Sequence, residues 1–439
     1  MKRRIADIVT SVRSAALKNG ASAFVDQGII SGFNFATFIL LARWMDTSHF
    51  GVYVLAFSGL MFVQTIQHSL ITRAHNILGV RLGKDEYESF SRSVLLMSIA
   101  LALSVVVITL LLALTFSSIG LDGWLIPTIG VGVAALPWLV QDSFRRILYT
   151  SQRVRAAAAN DFVSYGLQAG LVAFLFFTGG DSNILTVFTI LAASSLAACA
   201  VGVFQLRTLF SGWTISLPAV RKDIATVWNY GKWLSTGEFV GWIGHNGHTW
   251  LIGGLLGAPL VAGYRAASYV TNILNPFDLA VTNYLPVEAS RILHDEGRSA
   301  MLSWLGRQAI ILALPYALIA AGISLSSLWL LDVFYDARYV TGLLALILSI
   351  KAWSRFLGFM VNFVRIGLMA AENNLPIFIS QAISLVLFAV MSTALISWMG
   401  IIAAPIARIA IESVIGLYLM NSLMSEASTR AVPTHSAGG

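Results

Sequence analysis

The sequence predicts an all-α, polytopic membrane protein with about twelve transmembrane helices in two six-helix lobes around a central cavity. Of its 439 residues, 57% are hydrophobic and only 11% are charged, about half the charged share of a soluble domain. Apolar runs long enough to cross a bilayer recur along the whole chain. The period-two alternation of a membrane barrel is absent, so helices are expected to satisfy the backbone in lipid.

The apolar runs divide the chain into two lobes, residues 20–206 and residues 231–424, joined by a cytoplasmic connection of residues 207–230. Residues 1–19 place apolar side chains at helical spacing among basic ones. This pattern is typical of an amphipathic segment on an anionic membrane surface, although a solvated basic lead-in remains an alternative. The small, polar residues 425–439 predict a disordered cytoplasmic tail. The expected spans are 20–44, 50–72, 93–116, 124–148, 157–178, 184–206, 231–256, 261–288, 304–331, 341–367, 375–398 and 402–424.

The basic residues predict the orientation of these spans. Most of the 28 lysines and arginines fall in the N-terminal segment and in every second connection. The opposite connections hold only Arg43, Arg265 and Arg338, at or near their ends. Positively charged loops stay in the cytoplasm, so we expect both termini there. The net charge of +7 follows from this topology and requires no nucleic-acid partner.

The two lobes are expected to be a repeat of one six-helix unit. An offset of 212 residues places "DQGIISGFNFATFIL", which begins at Asp26, on "EFVGWIGHNGHTWLI", which begins at Glu238. At the same offset Asn34 meets Asn246, and one acidic residue meets another. An even number of spans per lobe gives both lobes the same orientation, which predicts a parallel repeat about an axis along the membrane normal.

Polar residues in the first helix of each lobe are candidates for the cavity. Ionisable groups in lipid usually face a bundle interior or a wet cavity. Glu238 lies roughly 10 Å from the cytoplasmic end of its helix at about 1.5 Å per residue. We predict that Asp26 and Glu238 are cavity acids, responsive to protons or cations; packing against a polar neighbour is the alternative. His245 and Asn246 are predicted to contact substrate. No third ligand accompanies His245 and His248, so we predict no metal site.

The tenth span carries the most telling charges. Its segment "SIKAWSRFLGFMVNFVR" places Lys351, Arg355 and Asn362 on one helix face. The two cations lie roughly 15 and 21 Å into the helix, and no carboxylate on the same helix can neutralise them. An anion is therefore expected, and phosphate suits arginine, which binds it bidentately. Pairing with a carboxylate such as Asp278 on another helix is the alternative.

Three further charged groups are assigned from the sequence. Arg265, near the outer face, is predicted to be a second anion contact, with snorkelling to the interface as the alternative. Asp278 is a third candidate acidic group of the cavity. Arg408 and Glu412 are four residues apart, so we expect them to pair with each other in a structural role.

Two hairpins resemble those of a known family. The segment "NFATFILLARWMDTSHFGVYVLAF" carries L-A-R, a short turn and F-G-x-Y, and "LIGGLLGAPLVAGYRAASYVTNIL" carries G-Y-x-x-A. The chain thus resembles the bacterial polysaccharide transporters, the Wzx-type O-antigen and exopolysaccharide flippases of the multidrug/oligosaccharidyl-lipid/polysaccharide (MOP) exporter superfamily. The resemblance extends over essentially the whole chain in length, span number and half-repeat.

This resemblance implies a flippase rather than an enzyme. Such proteins move a polyprenyl-diphosphate-linked oligosaccharide from the inner to the outer leaflet of the bacterial inner membrane by alternating access. Lys351, Arg355 and Arg265 would bind the diphosphate or acidic sugars, and Asp26 and Glu238 would couple the cycle to H⁺ or Na⁺. No cofactor is expected. A polysaccharide polymerase and a chain-length regulator are the implied protein partners.

Two other functions remain open on the sequence. A cation-coupled drug or metabolite antiporter of the same superfamily could also carry an acidic residue such as Asp26 in its first helix, but Lys351 and Arg355 would repel organic cations. A membrane-embedded polymerase or ligase would need a sizeable outer loop with catalytic residues, which this chain does not have.

Overall fold

The computed structural model describes residue 28, residues 30–211 and residues 216–429. Within these ranges the structure describes only the backbone at positions 233, 234, 245, 280, 283 and 426–429. The predicted amphipathic segment 1–19 and the candidate acid Asp26 therefore lie outside the described residues.

The described residues form twelve long helices, close to the twelve predicted spans. Most of these helices begin or end several residues beyond the predicted spans, because their amphipathic ends continue the helix past the apolar run. The first six are residues 30–44 (α1), Thr47–Arg81 (α2), Lys84–Ser118 (α3), Asp122–Thr150 (α4), Val154–Thr178 (α5) and Ile184–Gln205 (α6). The second six are Leu217–Leu256 (α7), residues 258–296 (α8), Arg298–Leu325 (α9), Gly342–Ala370 (α10), residues 375–399 (α11) and Ala403–Thr429 (α12).

Four of these helices change their winding away from their ends. Helices α2, α5 and α11 contain π-helical segments at Gln67–Thr72, Phe162–Gly166 and Phe388–Ser392. Helix α8 contains a 3₁₀ turn at Thr271–Leu274. Such segments free backbone groups from the regular ladder and often mark functional sites.

Eight helical segments of the described residues are long and apolar enough to cross a membrane, and the eighth, Leu375–Ser425, includes most of α11 and α12. The protein is therefore a multi-pass membrane protein, as its composition predicts. Helices α7 and α8 are not among these eight segments. Both carry many polar side chains, which lower their mean hydropathy.

The chain forms two compact units, Met1–Phe239 and Val240–Gly439. The division falls within α7, whose first part packs in the first unit and whose last part packs in the second. This helix begins at Leu217, inside the segment 207–230 that the sequence predicts as a connection. Likewise α12 continues to Thr429, into the predicted tail 425–439, whose last ten positions lie outside the described residues.

A shared turn shows the internal repeat. Gln152 lies two residues after the end of α4, and Glu372 lies two residues after the end of α10; both have a φ of 58°. The N–H of Gln152 donates to the carbonyl of Tyr149, and the N–H of Glu372 donates to that of Met369. A left-handed residue in this position satisfies the free carbonyls of a helix end. The two turns are 220 residues apart and close the fourth helix of each half.

Each unit has an apolar core of its own. In the first unit Phe144 of α4 packs with Cys199 of α6 and their buried neighbours. In the second unit Leu368 of α10, Phe388 of α11 and Leu419 of α12 belong to one cluster. Burial of large apolar side chains stabilises each unit by about 1.5–3 kcal/mol per side chain.

Glycine permits one close helix contact in the first unit. A Cβ atom on Gly231 of α7 would lie 2.6 Å from the carbonyl oxygen and 2.8 Å from the Cα of Leu70 in α2. Gly28, Gly32, Gly237 and Gly241 differ from Gly231 in the space around them. Among the described residues nothing lies within 4 Å of a Cβ at any of these four positions.

Gly231→Ala is expected to destabilise the protein by about 1–3 kcal/mol, the range for overpacking a well-packed contact. The obstacle is backbone, which cannot rotate away as a side chain could. Thermal unfolding of the detergent-solubilised protein measures the loss. Gly237→Ala, in the same helix but with open space around its Cβ, is the matched control and should unfold at or above the wild-type temperature, since alanine favours a helix. Equal stability of the two variants would contradict the contact.

Candidate functional site

A polar cavity of about 680 Å³ lies within the second unit. Helices α7, α8, α10 and α12 contribute its lining. Five cationic side chains face two carboxylates in this lining, so the cavity has a surplus of positive charge. The charged lining residues are Arg265, Asp278, Lys351, Arg355, Arg365, Arg408 and Glu412.

Arg355 of α10 is held by the wall of the cavity. Its Nη2 donates to Asp278 Oδ2 at 2.5 Å and to Asn275 Oδ1 at 2.6 Å, and its Nη1 donates to the carbonyl of Thr271 at 3.0 Å. Pairing with Asp278, left open by the sequence, is what the structure shows. The guanidinium is therefore largely neutralised on the side that faces α8.

The backbone of α8 explains why a carbonyl is available to Arg355. The 3₁₀ turn directs the N–H of Asn275 to the carbonyl of Asn272, three residues back. The carbonyl of Thr271 thereby loses the donor that a regular α-helix would supply. Pro276 follows and has no N–H to donate. Arg355 takes the place of the missing donor.

Lys351, one turn before Arg355, has a different environment. Its Nζ lies 4.1 Å from the ring centroid of Tyr264 on α8. No carboxylate of the described residues lies within ion-pair distance of it. A cation over an aromatic face is attracted by the ring, but its charge is not cancelled. Lys351 is thus a basic group without a carboxylate partner among the described residues, and an anionic ligand in the cavity would stabilise its protonated form.

Arg265 also faces the cavity without an ion pair among the described residues. Its guanidinium lies 5.5 Å from the ring centroid of Tyr269, and its buried Nε has no hydrogen-bond acceptor in the described part of the chain. Buried donors are normally satisfied. This nitrogen therefore marks a position where a ligand oxygen or a water can bind.

Two arginines share one carboxylate on the opposite side of the cavity. Arg408 Nη2 lies 2.5 Å from Glu412 Oε1, and Arg365 Nη2 lies 3.7 Å from Glu412 Oε2. Arg408 also donates to the carbonyl of Gly244 at 3.0 Å. The expected pair of Arg408 with Glu412 is present, but both residues line the cavity. With two cations on one acid, this group retains a positive charge.

The remaining predicted contacts of the second unit divide into three cases. Asn246 and Asn362 line the cavity, and the Asn362 side chain accepts from Arg365 at 3.0 Å. His248 lies at the cavity wall. Its Nε2 is 3.1 Å from the hydroxyl oxygen of Ser392. The side chain of His245 lies outside the described residues.

Glu238, one of the two acids predicted on the first helices of the lobes, does not line this cavity. Glu238 lies in the first unit, where its Oε1 accepts from Arg73 Nη1 at 2.9 Å. Both side chains of this ion pair are between about two-fifths and half exposed. Asp26 lies outside the described residues. Of the three predicted acids, Asp278 is the one that the structure places in the cavity.

Sequence reasoning missed several residues of the site. Arg365 lies 14 residues after Lys351, about four turns along the same helix face, and this spacing could have identified it. Arg408 and Glu412 looked like a self-sufficient pair, so their exposure to a cavity was not detectable. Asn272 lies within the 3₁₀ turn of α8, and Asn275 directly follows it.

The arrangement can bind an anion of the size of a diphosphate. Arginine offers paired N–H donors that match phosphate oxygens, and lysine adds a point charge. The described residues lack a cluster of three or more histidine, cysteine or carboxylate groups suited to a metal ion. An anionic ligand would therefore be held by side-chain cations.

Comparison with solved structures identifies the fold. An inward-facing multidrug resistance MATE family transporter of the MOP superfamily has a TM-score of 0.71 at 14% identity, covering 91% of this chain and 96% of its own. Lipid II flippase MurJ, inward closed, has a TM-score of 0.69 at 14% identity, covering 93% and 87%. A MOP superfamily transporter from Pyrococcus furiosus has a TM-score of 0.64 at 12% identity, covering 95% and 96%.

These similarities confirm the predicted all-α, two-lobe MOP fold. No curated protein matches the sequence. The sequence profile of the polysaccharide biosynthesis proteins matches residues 16–287, more than half of the chain. This match and the fold confirm the resemblance drawn from the two hairpins. The chain therefore belongs to the polysaccharide biosynthesis protein family and has the fold of the MOP superfamily transporters.

Proposed function

We propose that this protein is a flippase for a polyprenyl-diphosphate-linked oligosaccharide. It would carry the repeat unit from the inner to the outer leaflet of the bacterial inner membrane by alternating access, for a surface polysaccharide such as an O-antigen or exopolysaccharide. Both termini would face the cytoplasm, following the basic loops. A polysaccharide polymerase and a chain-length regulator would use the product.

The cationic cavity of the second unit is the observation that carries the proposal. Its five cations and two carboxylates leave a surplus of three positive charges. A diphosphate diester carries two negative charges, which such a cavity can neutralise. Lys351 and Arg265 are the two cations without a carboxylate, so they are the proposed diphosphate contacts. Arg355, Arg365 and Arg408 supply the surrounding positive field.

The comparisons support transport in general. The matched solved structures are transporters, which favours transport over catalysis. The Pyrococcus furiosus transporter is described as having a binding pocket of reverse polarity, which suggests that its function is different. Pocket polarity can therefore distinguish functions within this fold. By the same reasoning the alternative function, a cation-coupled antiporter, is disfavoured here, because the cavity would repel organic cations.

Cells lacking this protein are expected to accumulate a polyprenyl-diphosphate oligosaccharide whose sugars stay shielded from a probe outside the inner membrane. Lipid extraction and mass spectrometry measure the accumulation and identify the sugar at once. Complementation with the wild-type gene is the control. If no such lipid accumulates and the cells instead become sensitive to small organic cations, the antiporter replaces the flippase.

Lys351→Gln is expected to weaken binding of farnesyl diphosphate about 10- to 100-fold. A hydrogen bond to a charged group contributes about 1.5–3 kcal/mol, and 1.4 kcal/mol is tenfold in affinity. Native mass spectrometry of the purified full chain measures the affinity. Lys232→Gln, in the first unit, is the matched control and should bind as wild type. Farnesol has the same apolar chain but no diphosphate, so its affinity should be the same for Lys351→Gln and for the wild type. Unchanged diphosphate affinity in Lys351→Gln would remove this cavity as the diphosphate site.

Arg355→Gln is expected to lower the thermal unfolding midpoint, because it leaves Asp278 unpaired. The cost should be about 2 kcal/mol, less than for a fully buried pair, since both side chains are about a quarter exposed. The double variant Arg355→Gln/Asp278→Asn should recover most of the midpoint, because neither charge remains. An equally unstable double variant would show that Arg355 stabilises the unit through α8 backbone contacts instead.

A further inference from the structure

The first unit contains a second polar cluster, formed by α2, α4 and α5. Asp142 and Asp161 are buried within it. Arg145 Nε donates to Asp161 Oδ2 at 2.5 Å, and Arg146 Nε lies 3.8 Å from Asp142 Oδ1. Two carboxylates and two guanidinium groups therefore balance each other in charge. No role in binding substrate follows from this balanced arrangement.

His68 of α2 completes this cluster. Its Nε2 lies 2.7 Å from Asp142 Oδ2 and 3.3 Å from Arg146 Nη2. A contact this short between a nitrogen and a carboxylate oxygen requires a proton on the nitrogen. Nε2 thus carries a hydrogen and donates to Asp142. It cannot at the same time accept from Arg146.

The other ring nitrogen of His68 is available. Nδ1 makes no hydrogen bond to the described residues, and the side chain is 30% exposed, against 5% for Asp142. A neutral imidazole with Nε2–H has its lone pair on Nδ1. An incoming proton would bind there. The resulting imidazolium would lie directly on the Asp142 carboxylate, which stabilises its charge.

We propose that His68 is a proton-binding site, with Nδ1 taking up and releasing the proton while Nε2–H remains on Asp142. Histidine is the side chain whose charge ordinarily changes near neutral pH. Both carboxylates of the cluster are already engaged by arginine, so a metal ion would meet positive charge there. Proton uptake changes the cluster from neutral to a net charge of +1.

The backbone supports a functional reading of this cluster. His68 lies in the π-helical segment Gln67–Thr72 of α2, and the π-helical segment Phe162–Gly166 of α5 begins directly after Asp161. Gln67 donates to the carbonyl of Leu139 and to the hydroxyl of Ser143, both at 2.8 Å. These bonds fix the segment on α4 beside Asp142. Two π-helical segments at one polar cluster are typical of a functional site.

Several other charged and titratable groups on the elements around His68 have partners of their own. Arg73, further along α2, pairs with Glu238 of α7 at 2.9 Å. Arg92 and Glu88 of α3 pair with each other at 3.7 Å. Asp142 and Arg146 of α4 face His68. Arg145 of α4 and Asp161 and Tyr165 of α5 lie near this pair. His75 is buried against Ser91, at 2.8 Å, and Thr150, at 3.3 Å.

The role of this proton in transport rests on the proposed function. If the protein is a flippase, His68 is the group through which a proton gradient would drive it. Glu238, predicted as a coupling acid, is already neutralised by Arg73 in this structure. His68 differs because its second nitrogen is unoccupied by the described residues. The coupling ion would then be H⁺ rather than Na⁺.

Nuclear magnetic resonance of the full chain with ¹³C-labelled histidine tests proton binding without any substrate. The chain has seven histidines, so few signals are expected, and His68→Gln identifies the one from His68. Glutamine keeps an N–H donor for Asp142 but does not titrate. The His68 signal is expected to shift as the pH is lowered, because Nδ1 takes up a proton. A His68 signal that stays constant with pH while the protein remains folded overturns the proposal.

Lipid accumulation with and without a protonophore tests the coupling. We compare the amount of lipid-linked oligosaccharide with the protonophore to the amount without it. This ratio should be several-fold in wild-type cells, because removing the gradient slows export, and about one in His68→Gln cells. His49→Gln, on the same helix and also beside a carboxylate, Asp46, should keep the wild-type ratio. A wild-type ratio in His68→Gln overturns the coupling role. If deletion cells accumulate no lipid, the proposed function fails, and the His68 signal alone decides proton binding.

Discussion

A charged side chain among membrane helices has to be compensated inside the protein, and this constraint organises both polar clusters of the molecule. Arg355 illustrates it. Its guanidinium binds Asp278, Asn275 and a backbone carbonyl that the 3₁₀ turn of α8 leaves free. The turn and the arginine depend on each other, because without Arg355 the carbonyl that the turn leaves free would be unsatisfied in a medium where that is costly.

Within the cavity the charges are only partly compensated, and the basic side chains outnumber the acidic ones. Asp278 and Glu412 engage Arg355, Arg365 and Arg408, while Lys351 and Arg265 contact aromatic rings. An aromatic face attracts a cation without removing its charge. The ring contacts thus keep two cations ordered and still available. An ordered site loses less conformational entropy on binding an anion than a flexible one.

The two halves repeat the same fold with different chemistry. The matching turns after α4 and α10 place Lys351 and Arg355 in register with Val131 and Ala135. The first unit is therefore apolar where the second is cationic. In that unit the charges lie nearer the end of α4, where Asp142, Arg145 and Arg146 contact α2 and α5 and are balanced in charge together with Asp161 of α5. One unit is suited to an anion and the other to a proton.

The sequence by itself determined the membrane class, the twelve helices and the internal repeat, because these follow from hydropathy and spacing along one helix. It also identified Lys351 and Arg355, since two cations far from a helix end stand out in any apolar segment. Only the tertiary structure decided which charges are compensated. The pairing of Arg355 with Asp278 and of Glu238 with Arg73 joins residues 77 and 165 positions apart. The contact of His68 with Asp142 joins residues 74 positions apart, and helical periodicity carries no information about such distances.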